Sequence, residues 1–516
     1  MIISLILCLC LTAAPILSDA SNVNDSLVIA IQLTKTPLVR PLEANERDIL
    51  SIYDLVYESL VTIDDNYLQQ PCLCTSWEQS SNGKTWTFHL REDVTFSDGT
   101  PLTARDVVAT AQAILARAND ESTVSKGFYA NLRYFVSSIS ASDSYTVVVR
   151  AERSYYGLLY AMTFPILPED RVNADDPPGT GPYIIDVFRP TEFINLKVNT
   201  NWWKNLPQVK TISFQVCTTP KEVIESYDYA RVDAAFTRSI AASQYRSGVN
   251  AFAMDYRTRQ LDVLLMNQSA DRLKSLNVRK AIRYAIDVDR IAKNIYMGMV
   301  ERTDTPAIPG TWLYNDDLSS YFVKNVDEAR RLLEADGWGD SNEDGVLDCL
   351  NDEGKLVSLN MNLYVYEEPE DNVRIETANF IKEELAVVGI NVSITTMTFT
   401  GIQEKLSAGA FNLALVSYSM DVVPDYGFML MSGNTGNYGR YHSSAITDLW
   451  KNMRKSATTM AEYQQGLMDI QRIFAEDCPF ICMFYRKGVV LTRLMYTTVR
   501  DVREYELLRG IQSFKP

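Results

Sequence analysis

The sequence predicts an α/β fold, and three observations carry that expectation. Over 376–388 the residues Ala378, Ile381, Leu385 and Val388 share one helical face; Gly389 then supplies a left-handed stop, and Ile390, Val392 and Ile394 alternate as a strand. Near the start, 27–31 reads LVIAI, an all-apolar strand expected at the centre of a sheet. The chain has 516 residues, more than one hydrophobic core organises, so two or three domains are expected.

The other elements follow in order. A helix is predicted over 48–61, with Leu50, Leu55 and Val56 on one face, and a strand over 85–90. Asp98-Gly99 marks a turn. Thr103 is placed to cap a helix whose Val107, Val108, Ala111, Ile114, Leu115 and Ala118 fall on one side. A strand follows over 145–149. Pro177-Pro-Gly-Thr-Gly-Pro182 must be a loop. Strands are predicted over 183–188, 193–198 and 211–216. Asn277 is expected to cap a helix in which Val278, Ala281, Ile282, Ala285, Ile286 and Ile291 keep helical spacing. A helix over 326–335 ends at Asp336-Gly337, a strand spans 411–418, and a helix spans 460–475.

Composition narrows the function. The net charge of -16 argues against nucleic acid, which requires clustered Lys and Arg, and against anionic membranes. The chain opens on the apolar run Met1-Ile-Ile-Ser-Leu-Ile-Leu-Cys-Leu-Cys-Leu, and Ser18-Asp-Ala20 offers small residues for a signal peptidase. A secretory signal cleaved after Ala20 is expected, although no Lys or Arg precedes its apolar core. Leu7 and Leu9 stand before Cys8 and Cys10 where a lipobox has a small residue, so a lipid anchor is not expected. Six further cysteines remain, at 72, 74, 217, 349, 478 and 482; their pairing cannot be read from sequence.

No catalytic constellation is legible. The two histidines, His89 and His442, belong to no HExxH helix, and there is no GxSxG elbow, Walker loop or GxGxxG turn. Gly179-Thr-Gly181 is too short to cradle a phosphate and is followed by Pro182, which lacks a backbone donor. Asp340-Ser-Asn342-Glu-Asp344-Gly345 has calcium-loop spacing, but its twelfth position is Asn351 where a bidentate Glu is needed; a polar turn is the expectation.

Several segments together resemble the bacterial extracellular solute-binding proteins of family 5. These are Val56-Tyr-Glu-Ser-Leu60 with Pro71 and Trp77, the stretch from Trp86 to Val107 (WTFHLREDVTFSDGTPLTARDV), and Pro178-Gly-Thr-Gly-Pro-Tyr183. Asn277-Val-Arg-Lys-Ala-Ile-Arg-Tyr-Ala-Ile-Asp287 and Ala329-Arg-Arg-Leu-Leu-Glu-Ala-Asp-Gly-Trp338 complete the set, in the family's order and spacing. Cys72-Leu-Cys74 replaces the family's usual small residues.

The resemblance implies a two-lobed periplasmic-binding-protein fold of class II, in its large three-domain variant, with a hinge between lobes. Behind the signal at 1–20, residues 21–60, 183–258 and 487–516 would form the base of lobe 1, 61–182 an inserted domain, and 259–486 lobe 2. The hinge is placed where the chain crosses, near 257–261 and 484–488. The implied function is a monomeric, exported receptor of an ABC importer, periplasmic or at the cell surface. It would capture di- or oligopeptides and deliver them to a membrane permease, with no enzymatic activity, cofactor or metal. Oligosaccharide or a metal complex as cargo, and a secreted hydrolase or surface sensor, are the alternatives.

The family holds a peptide's ammonium group with an Asp, and Ser417-Tyr-Ser-Met-Asp421 is the matching stretch. The resemblance thus assigns Asp421 to that contact, with Ser417, Tyr418 and Ser419 beside it; here Val422-Val-Pro-Asp425 replaces the family's aromatic continuation. It assigns the Asn437-Tyr-Gly-Arg-Tyr441 loop, with Asn437, Tyr438 and Arg440, to the ligand-facing surface. Tyr364, Tyr366, Tyr485, Gln32 and Thr34 are further candidates. Read from the residues alone, Asp421 is equally a loop cap, Tyr418 a core tyrosine at a strand end, Arg440 a solvated cation, and Tyr364, Tyr366 and Tyr485 structural.

Overall fold

The computed structural model describes residues 25–33, 40–122, 126–247, 252–351, 353–368, 371–493, 504 and 506–510. The expected signal, with Cys8 and Cys10, and Thr34 lie outside the described residues. No helix among the described residues is long and apolar enough to cross a membrane.

One sheet runs through both lobes. Its strand order is Asn391–Met397, Asn360–Tyr366, Leu413–Ser419, Phe252–Met266, Phe480–Thr492, Ala234–Thr237, Ser26–Gln32, Thr211–Cys217, Phe193–Val198, Tyr183–Arg189. The two long strands at its middle, Phe252–Met266 and Phe480–Thr492, pair antiparallel with each other. Each serves both halves. Ala234–Thr237 takes the 489–492 end of the second strand, whereas Leu413–Ser419 takes the 260–266 end of the first. The register breaks between Arg257 and Leu261, where three residues bulge out. The break falls within the crossing segment expected as the hinge. Beside it, the Tyr256 ring fills the space over its cross-strand partner Gly488, where an added Cβ would lie 2.0 Å from the ring.

A separate four-stranded antiparallel sheet, in the order Cys74–Gln79, Thr85–Leu90, Thr146–Ala151, Val136–Asp143, carries the segment Phe128–Tyr134 to the gap between lobes. The helix Ala104–Asn119 packs on this sheet. Its start is fixed as expected, by a capping box between Thr103 and Asp106.

Several helix boundaries differ from expectation; the helix expected over 376–388 spans Val373–Ala386. The first helix spans Arg47–Asp54 and stops seven residues short of position 61. The carbonyls of Leu55 and Val56 accept instead from Tyr183 N (3.1 Å) and Gly181 N (2.9 Å). The helix near 277 is capped by Ser275, not Asn277, because the Ser275 hydroxyl accepts from Asn277 N and Val278 N. It ends at Ala285, and Asp287 caps a new helix, Val288–Asn294, so Ile291 belongs to the second.

The Pro178–Tyr183 motif therefore acts through backbone proximity. A Cβ at Gly179 would sit 1.9 Å from the Val56 carbonyl oxygen, and one at Gly181 would sit 2.5 Å from that of Leu55. Gly181→Ala is expected to destabilise the protein by about 1–3 kcal/mol in urea unfolding through overpacking. The control Gly339→Ala, where nothing lies within 4 Å, is expected to change stability by less than about 0.5 kcal/mol.

Candidate functional site

A cleft of about 560 Å³ opens between the Phe128–Tyr134 segment and the loop that follows the strand Leu413–Ser419. Asn131, Tyr134 and Phe135 form one wall; Ser419, Asp421 and Asp425 lie on the other, with Trp450 and Arg454 from the helix Ser444–Ser456. That volume suits a small organic ligand.

Asp421 is the pivot of the cleft. Its carboxylate accepts from the Asn131 amide of the opposite wall and from Val423 N at 3.3 Å. Burial raises its pKa above the usual carboxylate range, while the nearby Arg259 guanidinium acts in the opposite sense. Asp425, four residues on, is also raised by burial; it accepts from Gly427 N at 2.8 Å and from Arg454 at 2.7 Å. The Arg454 guanidinium lies over the Trp450 ring at 5.5 Å. The indole N–H of the buried Trp450 has no hydrogen-bond partner among the described residues. The wall thus offers two carboxylates, one guanidinium and one unused donor.

The other candidates fall into three groups. Ser419 lines the cleft with Asp421. Tyr418, Tyr438 and Asn437 build the cleft's support. Tyr418 is buried, stacks on Tyr438 at 6.5 Å and donates to Gly436 O at 2.6 Å; Asn437 donates to Tyr441 O at 2.7 Å and to Met431 O at 3.2 Å. The remaining candidates are engaged elsewhere. Arg440, in a left-handed conformation, donates to Ser407 O at 2.7 Å on the surface. Tyr485 is fully buried and donates to Pro306 O at 2.6 Å. The Tyr364 ring lies 5.9 Å from the Lys405 ammonium. Gln32 ends its strand with its backbone N–H donating to Asp48 at 3.1 Å.

Ser417 and Tyr366 belong to a buried charge network behind the cleft. Ser417 Oγ donates to Asp262 and accepts from Arg374 at 2.9 Å and from Gln260 at 3.1 Å. Arg486 pairs with Asp262 at 2.9 Å and with Glu368 at 2.9 Å, and Arg374 pairs with Glu368 at 2.9 Å. The Tyr366 ring lies 4.2 Å from the Arg374 guanidinium. Two carboxylates and two guanidinium groups cancel, and together they lock both crossing strands to the Leu413–Ser419 strand. Arg486 and Arg374 hold Asp262 below its usual pKa despite burial.

The Asp340–Asp348 loop closes on itself. Asp340 and Asn342 side chains accept from the amides of Asp344 and Gly345. Among the described residues no group of three or more His, Cys, Asp or Glu is arranged to hold a metal ion. All six described cysteines are free thiols.

The sequence model of the bacterial extracellular solute-binding proteins, family 5 Middle, matches residues 69–440. The chain belongs to this family. The oligopeptide-binding protein AppA of Bacillus subtilis is 22% identical over 463 residues, 84% of this chain and 81% of that protein. The nickel-binding periplasmic protein of Escherichia coli is 26% identical over 307 residues, 55% of this chain and 56% of that protein. The solved structure of the ABC transporter substrate-binding protein CtaP from Listeria monocytogenes aligns with a TM-score of 0.79 at 19% identity, over 94% of this chain and 98% of that one. The two-lobed class II fold expected from the motifs is thus the family's own, and this family 5 protein is a solute-binding receptor of the ABC-importer type. Its relatives are binding proteins of transporters, not enzymes.

Breaking the buried network should be costly, because removing one partner leaves an uncompensated charge. Arg374→Met is expected to lower stability by about 3–5 kcal/mol in urea unfolding. Asp262 has a depressed pKa, so its contribution is present above the ordinary Asp value and lost as pH falls through its folded value. The measured loss should therefore shrink in acid.

Proposed function

We propose that the protein captures peptides between its lobes and delivers them to a membrane permease, working outside the cytoplasm as a monomer. The observation that carries this reading is Asp421: a carboxylate on the cleft wall, partly shielded from water and touched from the opposite wall by Asn131. A peptide's α-ammonium group is the ligand chemistry that such a carboxylate favours, through a charge-assisted hydrogen bond. Ser419 ends a paired strand at the cleft, so an extended peptide can continue backbone pairing there without any side chain being read. Neither histidine lines the cleft, which favours peptide over a metal complex.

Mechanism follows from geometry. A ligand held on Asp421 and against the Asn131 wall contacts both lobes, so it binds the closed arrangement better than the open one and shifts the population towards it. A micromolar ligand supplies about 8 kcal/mol, enough to offset a modest opening preference. The division of lobes that accompanies this reading places 21–60, 183–258 and 487–516, with the insert 61–182, against 259–486. The four-stranded sheet within 74–151 supports the insert as a unit.

The test compares trialanine with N-acetyl-trialanine by calorimetry. Asp421→Asn is expected to weaken trialanine by about thirtyfold or more and to leave the blocked peptide nearly unchanged. Because burial already opposes ionisation of Asp421, the variant is expected to retain its fold. Equal losses for both peptides would remove Asp421 from this role.

The ammonium contact requires ionised Asp421. Trialanine affinity is therefore expected to be full above the raised pKa of Asp421 and to decline as pH falls through it, starting above the ordinary Asp value of about 4. Asp421→Asn should flatten that profile.

A further inference from the structure

The bulge between Arg257 and Leu261 interrupts the ladder with the second crossing strand, so backbone groups there find other partners. Thr258 Oγ donates to Arg486 O at 2.7 Å and accepts from Gln260 N at 3.2 Å. Arg259 O accepts from Met420 N at 2.9 Å. Two further groups are held by Glu504, from the last part of the chain. Arg257 O accepts from Glu504 N at 3.1 Å, and Arg259 N donates to the Glu504 carboxylate at 2.5 Å.

Glu504 is itself firmly held. It is 5% exposed, and its carboxylate pairs with Arg238 at 3.2 Å and with Arg47 at 3.4 Å. These cations come from the end of the Ala234–Thr237 strand and the start of the first helix, both in lobe 1. Buried Leu507 and Leu508 anchor the same segment, and Leu507 N donates to Ser51 at 3.4 Å. The bulge also sets where Arg259 reaches. Its guanidinium lies 5.5 Å from the Phe128 ring, near enough to Asp421 to favour that carboxylate's ionised form.

We infer that Glu504 is a positioning residue for lobe closure: it clamps the hinge bulge to lobe 1 and thereby fixes Arg259 beside Asp421. The hinge angle and the electrostatics of the cleft are then coupled through one side chain that does not line the Asp421 cleft. Loss of its charge frees the amide of Arg259 and leaves Arg238 without its buried partner, so the bulge gains alternative conformations and the lobes separate more readily.

The experiment is small-angle scattering of the full-length, ligand-free protein, wild type against Glu504→Gln, followed by titration with trialanine. The variant is expected to show a larger radius of gyration, restored to the wild-type value by saturating trialanine, and affinity reduced about tenfold. The affinity arm rests on the peptide reading above; the ligand-free scattering arm does not. A wild type that ignores trialanine would sink the peptide reading alone. An unchanged ligand-free radius in a variant with native circular dichroism would overturn the clamp. Arg238→Gln, which removes the other side of the pair from a half-exposed position, decides in the same two ways should Glu504→Gln fail to fold.

Discussion

The antiparallel pairing of Phe252–Met266 with Phe480–Thr492 is the constraint on which the rest of this protein depends. Two strands, each shared by both lobes, fix how the lobes approach. Leu413–Ser419 is laid on the first of them, and its register from Gln260 to Met266 delivers Asp421 to the cleft. The opposite wall arrives independently, on a sheet that makes no ladder with the main one. The site therefore lies where surfaces from two different sheets meet, as expected of a receptor that senses its ligand by closing.

Rigid and deformable parts are close neighbours. On the lobe 2 side of the bulge, Asp262, Glu368, Arg374 and Arg486 form a nearly sealed charge network that resists rearrangement. On the other side, Tyr256 is wedged over Gly488. Between them three residues carry the register break, which gives the crossing strand a place to change φ/ψ.

The fold class was legible because helix and strand periods are strong and the glycine stops are local. Boundaries failed where a distant segment competed. The first helix ends early because the Gly179–Gly181 loop, more than a hundred residues away, takes its carbonyls. The loop's glycines, readable as a breaker cluster, serve a close approach that no local pattern announces. The sequence reading placed Asp421 by a motif, and the structure has it on the cleft wall. Ser417 and Tyr366, read by the same route, are engaged instead in the charge network, where the Arg374 guanidinium reaches both. Asn131, Arg259 and Arg454 were not legible at all: Asn131 lies 290 residues from the carboxylate it touches, and an isolated Asn on a short turn carries no signal.

The central claim is that this cleft holds peptide, and native mass spectrometry of the freshly purified exported protein tests it most directly. A ladder of bound masses that dissociate intact and fragment as peptides is the predicted result. A single bound metal complex or oligosaccharide, with no peptide displacing it, would contradict the claim.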